Sequence, residues 1–380
     1  MFRKLPILLL ALVIVIVCLD SFMPLSVKSF LYSLSLSVKA MIIFVLPLII
    51  FMLLFKTLSQ LSYKATKAIL FILAGVCCSN FLSTMISYLI GSSLYHMDIS
   101  IALPQEDQGL TALWSLQLPK LIANDHAMFA GIVSGIVLAK FMPTLSEKIS
   151  SWMERIVNKT LGVITCLLPL FIGGFVVKIV HDKTLKTIVG EYSWIFLLVA
   201  LSQFTYILFI YWSAGRFHLT QLMASIKNML PASIAGFSSM SSAAAMPLTI
   251  VGVEKNTKNP ALARLTVPAT VNIHLIGDCF AIPIFAFAIM KNFGFPEPTF
   301  FTYLLFACYF VMAKFSVAAI PGGGILVMLP ILESHLGFTA EMASLITALY
   351  ILFDPVITCA NVSGNGGFAM VMNKRLFKSA

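Results

Sequence analysis

The feature that most constrains this chain is a succession of apolar runs, each near the ~20 residues an α-helix needs to cross a bilayer. In the first part of the chain they fall at Leu5–Leu19 and at about 37–58, 68–95, 127–143, 158–180 and 191–214, and the short segments between them hold most of the charge. No soluble globule can be built on such runs. Of 380 residues, 59% are apolar and 11% charged, against roughly 25% charged in a soluble domain, so the chain cannot coat itself with polar side chains. A mean hydropathy of +0.98 agrees. Disorder, a collagen-like repeat, a disulfide scaffold and an ordinary cytosolic enzyme are thereby excluded. What remains is an all-α polytopic membrane protein, because helices satisfy every backbone group within the lipid-crossing segment itself. The length accommodates roughly 8 to 10 spanning or half-spanning helices, which the segments beyond residue 220 divide into about eight transmembrane helices plus two re-entrant helical hairpins.

The formal charge of +10 does not point to nucleic acid, since a nucleic-acid reader gathers its basic residues on one soluble face. Here they sit between apolar runs. Arg3/Lys4, Lys56/Lys64/Lys67, Lys140/Lys148/Arg155/Lys159 and Arg216/Lys227 fall on alternate sides of successive spans, which makes that side cytoplasmic and places both termini there. The loop at about 96–126 carries Asp98, Glu106, Asp107 and Asp125 against Lys120, and lies outside. The first run follows two basic residues like a signal peptide, but Val17-Cys18-Leu19-Asp20 offers no small-residue cleavage site, so it is expected to remain a helix. Cysteines 18, 77, 78, 166, 279, 308 and 359 lie in apolar stretches without metal spacing and read as buried thiols.

After residue 220 small and polar residues interrupt the apolar runs. A stretch from about 226 to 252 has a Ser-rich middle and basic residues at both ends (Lys227; Lys255, Lys258, Arg264), so it is expected to dip into the membrane and return as a hairpin. The next helix, about 265–290, is expected to break at Asn272-Ile-His-Leu-Ile-Gly-Asp278. A second hairpin follows at about 302–333 with Ile320-Pro-Gly-Gly-Gly324 at its tip. The final helix, about 338–372, is expected to break at Asp354-Pro355 and at Asn361-Val-Ser-Gly-Asn-Gly-Gly367. Hairpin, broken helix, hairpin, broken helix, with the hairpins entering from opposite faces, is an inverted repeat. The expected division is 1–220, six helices, and 221–380, the core that carries the hairpins.

Backbone that leaves helical geometry in hydrocarbon survives only inside protein or around a polar cavity. Several interruptions in one third of the chain therefore imply one shared cavity, with helix ends offering N–H groups to anions and carbonyls to cations. The rival explanation is that Gly and Ser merely let helices pack closely. That leaves Asp278, Asp354 and His274 unexplained, because ionisable groups in a span are expensive and line pathways.

On these residues the chain resembles the dicarboxylate/amino acid:cation symporter family, the glutamate-transporter homologues. Ser241-Ser-Ala-Ala-Ala-Met-Pro247 resembles the family's first hairpin tip, and the spacing to Pro268 fits its broken seventh helix. Pro321-Gly-Gly-Gly324 resembles the second tip, Asp354…Thr358…Asn361-Val-Ser-Gly364 the substrate-binding eighth helix, and Phe44-Val-Leu-Pro47 a helix 2 motif. The resemblance implies a homotrimer in the cell membrane, with both hairpins and spans 3, 6, 7 and 8 moving against a scaffold of spans 1, 2, 4 and 5. It implies that the Ser241-Ser242 tip and the backbone at Ile320 and Gly324 hold a substrate carboxylate. Asp354 would then meet an amino group, and Thr358 and Asn361 would add hydrogen bonds. No cofactor is implied, only a coupling cation, Na+ or H+.

The departures carry information. Ile357 stands where members that take acidic substrates have Arg, and cannot fork onto a carboxylate. That favours a neutral amino acid or monocarboxylate. Against the family's Asn-Met-Asp-Gly-Thr, the chain reads His274-Leu275-Ile276-Gly277-Asp278, and Asn365 replaces a sodium-binding Asp. A sodium site at Asn361 and Asn365 is weakened accordingly. If 274–278 is helical, His274 and Asp278 share a face and can exchange a coupling proton; alternatively a neutral His274 bonds the opened backbone. Asp354 before Pro355 also reads as a helix N-cap. Asn80, Ser83 and Thr84 are candidate cation oxygens.

Two other functions compete. An intramembrane aspartyl protease would use Asp278 and Asp354, but Leu275 stands where its Gly-x-Gly-Asp motif begins. A channel would show a polar stripe along full-length helices. Cation-coupled symport of a small carboxylate-bearing solute fits the sequence better than either.

Overall fold

The computed structural model describes residues 5–64, 67–97, 109–119, 122–182, 184–317 and 322–376. It is all-helical, with no strand among the described residues. In the first half, α1 is Leu5–Leu19, α2 Leu25–Lys64, α3 Lys67–His96, α4 Asn124–Phe141, α5 Pro143–His181 and α6 Thr184–Ala214. The six expected spans are all present, but α2 and α5 extend well beyond 37–58 and 158–180. Their extra turns hold Ser, Lys and Glu, whose intrinsic helix preference and tertiary partners do not register in an apolar window. Ser59 of α2 bonds Ser146 and Ser150 of α5 at 2.7 and 3.0 Å, and Lys56 pairs with Glu154 at 2.6 Å.

In the second half, α7 (Leu219–Ser239) and α8 (Ser242–Thr257) pack against each other through a left-handed Met240, φ 50°. Ser241 caps α8, its side chain accepting the Ala244 N–H at 3.3 Å. α9 (Pro260–Thr270) and α10 (Ile276–Asn292) are the halves of one interrupted helix. α11 (Phe300–Ala313) continues into a 3-10 turn at Lys314–Ser316 and pairs with α12 (Gly323–Leu336). Ile320 and Pro321 lie outside the described residues. α13 (Ala340–Leu376) closes the chain.

α13 corrects the sequence reading. It runs unbroken for 37 residues through both expected interruptions. Pro355 is tolerated as prolines are in membrane helices whose neighbours re-satisfy the backbone. The glycines serve close packing instead: a Cβ at Gly364 would lie 2.9 Å from Ile276, and one at Gly367 2.9 Å from Ile210. Small residues here admit α10 and α6, the explanation set aside for this stretch.

Two groups of helices result. α2 packs on α4 and α5, with α1 against α5. α10 packs on α3, α6, α12 and α13, with α7, α8 and α9 against α13, and it is buried at every position from Ile276 to Met290. Over the described residues, α2, α3, α5, α6 and α13 contain segments long and apolar enough to cross a membrane, and large apolar side chains such as Leu89, Val163 and Leu201 stand on their outer surfaces. The cysteines are free thiols, but most are not buried as expected: Cys279 is enclosed and Cys77 and Cys359 are half-buried, while Cys18, Cys78, Cys166 and Cys308 are exposed on apolar helices. Lipid, rather than protein, is what an apolar run selects for them.

Candidate functional site

The interruption at 271–275 is the foundation. Its loose backbone groups are taken up by three asparagines on neighbouring helices. Asn80 of α3 donates to the Ile273 carbonyl at 2.7 Å and accepts the Leu275 N–H at 3.3 Å. Asn361 of α13 accepts the Gly277 N–H at 2.8 Å, and Asn365 donates to the His274 carbonyl at 3.4 Å and the Asn361 carbonyl at 3.1 Å. Non-helical backbone thus persists because side-chain amides replace the lost helical partners. A Cβ on Gly277 would meet the Ile357 carbonyl and the Asn361 side chain, so only glycine lets α10 start this close to α13.

In the first turn of α10, Asp278 is 1% exposed. Its Oδ1 accepts the Tyr350 hydroxyl at 2.9 Å and its Oδ2 accepts Asn361 Nδ2 at 2.7 Å. Lys314, fully buried, brings its ammonium to 3.4 Å from Oδ1. Gly324, in the first turn of α12, lies against Asp278 and Tyr350, both of which a Cβ would strike.

Asp354 is also buried and is spent on two donors. Oδ2 accepts the N–H of Gly322 at 2.9 Å and Oδ1 accepts the Thr358 hydroxyl at 2.9 Å. The expected capping role is met in another form: Asp354 lies inside α13 and caps the start of α12, where Gly322 has φ +72°.

These groups enclose a cavity of ≈ 30 Å³ whose walls include Ser242, Asp278, Gly324, Asp354, Thr358 and Asn361. That is room for a few waters, too little for a larger solute unless a wall moves aside. Ser242, Asp278, Gly324, Asp354, Thr358 and Asn361 are therefore brought together from α8, α10, α12 and α13.

Other candidates are placed elsewhere. Ser241 caps α8 and is not a cavity wall. Ile357, which the resemblance places among the substrate-binding positions, is fully buried and likewise absent from the walls of this cavity. His274 precedes the helix rather than sharing its face with Asp278. Its Nε2 bonds Ser79 Oγ at 2.9 Å and its ring lies on Phe368 at 4.4 Å, and the proton exchange expected with Asp278 has no contact to run through. Ser83 and Thr84 bond carbonyls of their own helix. Asn361 uses both ends of its amide. Asn365 turns its NH2 toward carbonyls and leaves Oδ1 without a donor.

Sequence reasoning missed Lys314 and Tyr350. Lys314 had a signal, an ionisable residue inside an apolar run. Tyr350 had none, since a tyrosine in a span is most often simply buried.

A second cavity of ≈ 650 Å³ lies between α2 and α5 on one side and α3, α9 and the 271–275 break on the other. Lys56, Ser59, Glu147 and Ser150 line its outer part, while Asn272 and Val317 belong to both cavities.

A family model described as the sodium:dicarboxylate symporter family matches residues 5–375. No curated protein matches the chain.

Proposed function

The chain belongs to the sodium:dicarboxylate symporter family, and from that premise we propose that it carries a small amino acid into the cell by an elevator-type movement. As a member it is an integral membrane transporter and not an enzyme, and it couples a dicarboxylate or amino acid to a cation.

One observation carries it. The starts of α8 and α12 meet α10 and α13 around a single cavity, with helix N-termini, a buried carboxylate and amide side chains all facing it. Backbone N–H groups at helix starts suit a carboxylate. Asp354 suits an ammonium. No lysine or arginine is among the described cavity walls, and the nearest cation, Lys314, is engaged by Asp278. That balance favours a neutral amino acid over a dicarboxylate, on grounds other than Ile357.

In this reading α1, α2, α4 and α5 form the fixed group of each subunit in a homotrimer, and α3 with α6–α13 moves across the bilayer. The termini face the cytoplasm, as the basic loops suggest. The ≈ 650 Å³ cavity at Lys56 then opens on the cytoplasmic side and leads through Asn272 and Val317 toward the site. For the aspartyl protease no observation speaks: Asp278 and Asp354 each have donors of their own instead of sharing a proton.

The test is counterflow in proteoliposomes loaded with unlabelled neutral amino acid, monocarboxylate or dicarboxylate and presented with trace label. Saturable accumulation with neutral amino acids is expected. A dicarboxylate-only response overturns the substrate assignment, and leakage without accumulation overturns the carrier in favour of a pore.

A further inference from the structure

Asp278 and Lys314 form an ion pair sealed inside the protein. The side chains are 1% and 0% exposed, and 3.4 Å separates Nζ from Oδ1. The ammonium lies 4.3 Å from the centroid of the Phe310 ring and has no hydrogen-bond acceptor. An ammonium is rarely taken into such surroundings unless an opposite charge compels it. Lys314 belongs to the 3-10 turn after α11, whereas Asp278 belongs to α10. Asp278 is also a wall of the substrate cavity and is touched by Tyr350, Asn361 and the Gly324 turn.

We infer that the Lys314 ammonium is a tethered cation that occupies the place beside Asp278 where a mobile coupling cation would otherwise bind, so that solute binding in the cavity walled by Asp278 and Asp354 needs no sodium. The inference deepens the transport reading and rests on it. Three observations support it together. First, a carboxylate in the cavity wall needs a positive partner to stay charged in low dielectric. Second, Lys314 supplies one, and a sodium ion approaching Asp278 would meet the ammonium's repulsion. Third, the other wall carboxylate, Asp354, which accepts from Gly322 and Thr358, is the one this reading gives to the solute's ammonium.

The experiment compares the purified full-length protein with Lys314→Ala in NaCl, KCl and choline chloride at equal ionic strength. Thermal unfolding and uptake by proteoliposomes are measured on both. The wild type should unfold at one temperature in all three salts and take up solute equally in each. Lys314→Ala leaves Asp278 alone with space beside it. It should gain a saturable, sodium-specific stabilisation, and its solute affinity should rise about 5- to 150-fold with sodium, the range of an ordinary coupling between two ligands. Sodium-specific stabilisation of the wild type, or a folded Lys314→Ala that ignores sodium, overturns the inference. If Lys314→Ala does not fold, Lys314→Ala/Asp278→Ala decides: removing both charges should restore folding without any sodium response. A double variant as unstable as the single one overturns the inference. If the wild type carries no solute in any salt the transport reading fails, while the unfolding data still decide the role of Lys314.

Discussion

Replacing Gly324 by Ala tests whether α12 must seat directly on Asp278 for the site to close. A Cβ there would overlap Asp278 Oδ1 and the Tyr350 hydroxyl and lie 3.2 Å from Asp278 Cγ. Neither partner can swing away cheaply. Asp278 is held by Tyr350 at 2.9 Å, Asn361 at 2.7 Å and Lys314 at 3.4 Å, so the methyl displaces the α12 turn instead. Forcing a methyl into a packed interior costs about 1–3 kcal/mol. At about 1.4 kcal/mol per tenfold, apparent solute affinity should fall by about 5- to 150-fold. The assay is solute titration by thermal shift or uptake, with Gly162→Ala as control, since a Cβ at Gly162 meets nothing within 4 Å. Wild-type affinity in Gly324→Ala would refute the requirement for close seating.

Ile357→Arg should destabilise rather than switch specificity, because the side chain is fully buried away from the cavity walls; unfolding below the wild-type temperature without new binding of acidic solutes is the expected result. Asn80→Ala removes both partners of the Ile273 carbonyl and Leu275 N–H. At about 1–3 kcal/mol for each buried group left unpaired, it should lower the unfolding temperature and raise amide exchange at 271–276. Asp354→Asn keeps an acceptor for Gly322 but removes the charge that meets an ammonium, so affinity for amino acids should fall at least ~10-fold, as loss of a charge-assisted bond of about 1.5–3 kcal/mol implies. Affinity for the corresponding monocarboxylates should hold.

Much of the fold was legible because lipid leaves a chain few choices. Every apolar run became a helix, the Ser-rich stretch became two helices joined at Met240, and 271–275 left helical geometry. The exception, α13, shows where pattern fails: Gly364, Gly366 and Gly367 look the same in a sequence whether they break a helix or admit a neighbour. Of the expected site, Ser242, Asp278, Gly324, Asp354, Thr358 and Asn361 surround one cavity, while Ser241, Ile357, His274 and Asn365 have other partners.

By itself, then, the order of amino acids determined the solvent, the helices and the region of the chain that would hold the site, because hydrophobic length and backbone satisfaction act locally along the chain. Tertiary structure alone decided which charge faces which. That Asp278 meets Lys314 instead of His274, and that Asp354 caps α12 instead of its own helix, depends on helices distant in sequence arriving at one point. Electrostatic pairing follows distance in space and burial, and neither is written in residue spacing.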